Sequence, residues 1–134
     1  MRGRPRIPSP MQYIFLVTAL VLNASANILI KIGAERAEAA NLGSMPLIEQ
    51  GLTLASNWQL IVGLILFASN VVFYALALKD INLSIAYPIM TSGGFLIISL
   101  FSVFFLREHL TPIQIGGIAM IALGIAMLAS GLRE

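Results

Sequence analysis

The chain has no cysteine, a single histidine and a single tryptophan, and charged side chains make up only 10% of its 134 residues. Without cysteine there is no disulfide, no zinc–thiolate centre and no thiol nucleophile. So little charge cannot cover the surface of a soluble domain of this length. The formal charge of +2 is too small and too dispersed for nucleic-acid binding. No Asp or Glu falls within the core of any long apolar run, so proton coupling through a membrane-embedded carboxylate has no carrier. His109 sits beside Arg107 and Glu108, where solvation is its default state. No metal cluster, nucleophile–base pair or phosphate loop is visible. The sequence therefore predicts neither an enzyme nor a cofactor or metal site.

What the chain does contain is apolar sequence: 58% of residues are hydrophobic and the mean hydropathy is +0.91. Uncharged runs near 20 residues are the length a helix needs to cross a bilayer. The expected fold is all-α, a single-domain integral membrane bundle of four helices over residues 1–134. The spans are Tyr13–Ile32, Trp58–Leu78, Ile81–Leu106 and Ile113–Ser130. The first is too long for a signal-peptide core and lacks a clear cleavage site, so it reads as a retained span. Lys79 to Asn82 is a tight turn that makes spans two and three an antiparallel hairpin. Thr111–Pro112 opens the fourth helix. Between Gly33 and Asn57, Met45, Ile48, Leu52 and Ala55 recur at helical spacing behind Ser44, a candidate N-cap. That pattern predicts a short interfacial helix over 45–56.

With the N-terminus inside, the inner side carries Arg2, Arg4, Arg6, Lys79 and Arg133, and the outer side Lys31, Arg36 and Arg107. The excess favours N-in. It rests on the first ten residues, and a start at Met11 would reverse it.

The polar residues inside the spans are the candidates for function. Asn23, Asn27 and Lys31 recur every fourth residue, so they form one stripe on the first helix. An amide facing lipid would lack partners, so the stripe must face protein or water. One reading is a substrate surface. The other is interhelical hydrogen bonding, with Lys31 snorkelling to the interface. On the second helix Asn70 and Tyr74 share a face, with Ser69 beside them. On the third, Ser84, Tyr87 and Thr91 share a face. Pro88 leaves the Ser84 carbonyl without its helical donor and predicts a kink. Gly93–Gly94 adds a second soft point. Pro88, Gly93 and Gly94 form a candidate hinge, and close helix packing explains the glycines equally well. The fourth helix offers Gly116, Gly117 and Gly124 with Ala119, Ala122, Ala126 and Ser130, a small-residue face suited to a dimer interface.

Glu108, Thr111, Pro112, Gln114, Gly117 and Gly124 follow the third span in an order that resembles the closing hairpin of an EamA-type repeat. With four short spans, the chain resembles the drug/metabolite transporter superfamily, in particular its small multidrug resistance branch. Multidrug exporters of that branch carry a glutamate where this chain has Asn23. Ser84-Ile85-Ala86-Tyr87-Pro88 and the neutral first span are more similar to the paired subunits that flip aminoarabinose-linked lipid. The resemblance implies a dimeric transporter or flippase in a bacterial inner (plasma) membrane. Its solute would be amphiphilic, on this resemblance a lipid-linked, polyprenyl-phosphate-sugar-like molecule. Asn23, Asn27, Asn70, Tyr74, Tyr87 and Thr91 would line the cavity, with Lys31 drawing in a phosphate. The expected partners are the bilayer, the solute and a second copy or a similar small membrane protein. The alternatives are a multidrug or polyamine exporter without the first-span carboxylate and a non-transporting membrane subunit.

Overall fold

A computed structural model describes residues 9–131. Arg2, Arg4, Arg6, Arg133 and Glu134, invoked in the charge count or at the chain end, lie outside the described residues. The chain is helical: α1 (Pro10–Ala39), a 3-10 turn (Leu42–Ser44), α2 (Leu47–Ser56), α3 (Trp58–Ala77), α4 (Leu83–Phe104) and α5 (Pro112–Ser130). No strand occurs among the described residues. Helices α1, α3, α4 and α5 are each long and apolar enough to span a bilayer. The protein is an integral membrane four-helix bundle with one short extra helix.

Most helix ends fall within three residues of expectation, and two features differ more. Helix α1 runs to Ala39 instead of stopping at Ile32. Hydropathy falls at Glu35, Arg36 and Glu38, but a helix needs no apolar residue to continue, and the alanines at 34, 37 and 39 favour it. At 30 residues α1 is about 45 Å long, against roughly 30 Å of hydrocarbon, so its last turns project beyond the apolar layer. Helix α2 forms, but Ser44 does not cap it. Pro46 occupies that position, and the Ser44 hydroxyl donates to the Asn41 carbonyl at 2.8 Å. Leu47, Ile48 and Leu52 are exposed, as in a helix that lies along a membrane surface.

The packing order also departs from chain order. Helices α3 and α4 leave their shared turn and touch little, while α1 packs along α3 and against α4. The reason is side-chain size. The α1 face that meets α3 carries Ala19, Ala26 and Gly33, all buried. A Cβ added at Gly63 of α3 would lie 2.8 Å from Ile30 Cγ1 and 3.2 Å from the Ala26 carbonyl oxygen. Only a glycine allows that approach, and dispersion across it holds the pair together. At the end bearing the α3–α4 turn, Leu16, Ala19, Ala77, Ile81, Ala86 and Met90 form an apolar cluster, flanked by Tyr13, Phe15 and Phe73. The Phe15 and Phe73 rings sit 6.2 Å apart, tilted by 47°. Helix α5 packs on α4 and has no buried residue.

Candidate functional site

The contacts of α1 fix the depth of every polar group. Gly33 meets Leu60, and Gly63 meets Ala26 and Ile30, so α1 and α3 are antiparallel. Leu20 lies against Gly93 and Asn23 against Gly94, so α1 and α4 run side by side in the same direction. Asn23 stands near the middle of the span. Lys31, eight residues on, is about 12 Å closer to the far surface.

The stripe on α1 faces α4. A Cβ added at Gly94 would come within 2.8 Å of the Asn23 amide nitrogen, so the second of the two glycines makes room for the asparagine. Asn27 Nδ2 donates to the Asn23 backbone carbonyl at 2.8 Å and more weakly to Asn23 Oδ1 at 3.3 Å. These bonds stay within α1; they are not the interhelical bonds that were the structural alternative. Gly93 and Gly94 are therefore packing residues here. Helix α4 continues through Pro88 as one helix from Leu83 to Phe104.

Asn70 and Tyr74 stand one turn apart on α3. Asn70 is 5% exposed. Its Oδ1 and the Tyr74 hydroxyl oxygen are buried without a hydrogen-bond partner. Seven residues beyond Gly63 on an antiparallel helix, Asn70 comes level with the Ala19–Asn23 stretch of α1. Tyr74 also packs against the apolar cluster that includes Ala86 of α4. Tyr87 is 58% exposed. Thr91 is exposed too, and its hydroxyl donates to the Tyr87 carbonyl at 2.8 Å. In the single chain, then, Tyr87 and Thr91 lie on the outer surface, whereas Asn70 is buried and Asn23, Asn27 and Tyr74 are half-buried.

Lys31, the candidate for drawing in a phosphate, forms an ion pair with Glu108. Arg107 adopts a left-handed φ of 54°, and the Glu108 amide donates to the Ser102 carbonyl at 3.1 Å. The chain leaving α4 is thereby folded back, and Glu108 is aimed at α1. At the opposite end Gln12 donates to the Asp80 carboxylate. Asn57 ties the α2–α3 joint to α1, donating from Nδ2 to the Gly33 carbonyl at 2.8 Å. Sequence reasoning missed Glu108, Gln12, Asp80 and Asn57 as contact-making residues. One signal for Glu108 was present: a lysine inside an apolar run needs a counter-charge, and Glu108 is the first acid after the span that runs alongside it.

The three glycines assigned to a dimer interface have no heavy atom within 4 Å of an added Cβ. Within one chain their face is open.

The family model described as Putative transmembrane family 234 matches residues 15–129, which include most of α1 and α5 and everything between. No solved structure matches the chain. The family match overturns the resemblance to the drug/metabolite transporter superfamily and its small multidrug resistance and EamA-type branches. The motifs behind that resemblance have a local physical cause. Thr111 and Gln114 form a capping box at the start of α5, which many helices use. Small residues at Gly117 and Gly124 are common wherever membrane helices approach one another.

Proposed function

The chain belongs to transmembrane family 234, and from that premise we propose that it moves an amphiphilic solute across the bilayer or between leaflets by alternating access. The observation that supports this is the pair of buried, unpartnered oxygens, Asn70 Oδ1 and Tyr74 OH. Within hydrocarbon an unsatisfied polar group costs several kcal/mol, and native proteins rarely leave two together. A solute with a hydrogen-bond donor for Asn70 and a donor or acceptor for Tyr74 would satisfy both. Asn23 and Asn27 lie at comparable depth and add amide groups. None of these four residues is charged, so recognition at mid-depth rests on hydrogen bonding. Glu108 neutralises Lys31, so the case for a phosphate-bearing solute loses its main support.

Association completes this reading. The open glycine face of α5 would receive a second copy or a similar small membrane protein, because four helices enclose a path through the bilayer less readily than eight.

Reconstituted vesicles test the proposal with two probes, a fluorescent neutral glycolipid and a lipophilic cation. At least one should cross faster than in protein-free vesicles. Asn70→Leu and Tyr74→Phe should each slow that crossing roughly 5- to 100-fold, the effect of losing about 1–3 kcal/mol of hydrogen bonding. Crossing at wild-type rates in both variants would exclude this pair as the site.

A further inference from the structure

We propose that Lys31 and Glu108 form the gate that separates the mid-depth amides of α1 from water at one face of the membrane; the inference rests on the transport reading above. Three observations place the gate. Lys31, Asn27 and Asn23 are successive steps of one stripe on α1, so any polar route from that face to mid-depth passes Lys31 first. Lys31 lies level with Val62 on α3, about 6 Å inward of Trp58 at 1.5 Å per residue. Tryptophan favours the membrane–water interface, so the ion pair sits near the hydrocarbon boundary. Glu108 is not a drifting surface acid. The left-handed Arg107 and the bond to the Ser102 carbonyl hold it over the end of the stripe.

The two ends of the stripe are closed by different means. Towards the α3–α4 turn the closure is the apolar cluster around Leu16, Ala77 and Met90, with the Gln12–Asp80 hydrogen bond beyond it, and opening it would expose packed side chains. Towards Glu108 the closure is an ion pair whose side chains are 36% and 43% exposed. Water can solvate both partners as they separate, so parting them costs little. The pair also joins α1 to the α4–α5 connection, so movement of α4 or α5 relative to α1 would open it. The face bearing Glu108 is the one that opens at low cost, and the opposite face stays shut in this state.

The absence of native cysteine allows a direct test. Asn27→Cys places one thiol just behind the gate. In vesicles exposed on both faces to a membrane-impermeant thiol reagent, this thiol should react slowly when Lys31 and Glu108 are present. Glu108→Gln or Lys31→Met should accelerate labelling about five-fold or more, equivalent to roughly 1 kcal/mol of closure. The charge-swapped Lys31→Glu/Glu108→Lys chain should restore slow labelling. Met90→Cys, in the apolar cluster, should stay unreactive throughout and reports misfolding if it does not. Equal labelling of Asn27→Cys in all four backgrounds would overturn the gate. A swapped chain that keeps Met90→Cys protected yet labels as fast as the single variants would do the same. No solute takes part in this measurement, so a failed gate and a failed transport reading are told apart.

Discussion

Asn70 is a residue whose best function and best stability point in opposite directions. Its Oδ1 is buried and unpartnered, so removing the amide removes a cost. Asn70→Leu should therefore raise the stability of the solute-free protein by about 1–3 kcal/mol, read as a higher midpoint in detergent unfolding. A lower midpoint would mean that the amide has a partner when solute is absent. At this scale the sequence was legible in part. Asn23, Asn27, Asn70 and Tyr74 stand out because polar residues in apolar runs are few. Which of them already have partners is invisible without the packing. Asn27 is used within its own helix, Lys31 finds Glu108 across 77 positions, and Thr91 turns its hydroxyl back to its own backbone.

Helices show the same division between what is local and what is not. Hydropathy located all four spans, because each run is set by its own residues. The neighbour of each helix was not legible. The short turn after α3 suggested that α3 and α4 pack together, yet α1 lies against both, because Ala26, Ile30 and Gly63 permit a closer approach than chain adjacency does. Two glycine substitutions separate the roles of the elements. Gly63→Leu would push into Ile30 and the Ala26 carbonyl and should destabilise the α1–α3 pair by about 1–3 kcal/mol, read by detergent unfolding. Gly117→Leu meets nothing within 4 Å. It should leave the folded monomer intact and lower dimer content in cross-linking or light scattering. If Gly117→Leu unfolds the chain and leaves association untouched, α5 has been given the wrong role.

For the whole molecule, the distribution of basic residues is the weakest determinant. Lys79 lies at the end of the α3–α4 turn, and Lys31, Arg36 and Arg107 lie at the other end. Taken alone, these favour the orientation opposite to N-in, and Arg2, Arg4 and Arg6 tip the balance. Replacing those three arginines by alanine should lower the N-in fraction, measured with topology reporters at the C-terminus. A strictly N-in result after the replacement would show that orientation is set elsewhere.

The central position of α1 also has a consequence for biogenesis. The helix that contacts both α3 and α4 precedes them in the chain, and it carries the polar stripe. The 77 residues that follow Lys31, up to and including Glu108, take roughly 4–15 s to synthesise at 5–20 residues per second. For that interval the growing chain lacks the acid that pairs with Lys31. The charge on Lys31 is therefore neutralised only after α4 has been made, and the ion pair is among the later contacts the chain can form.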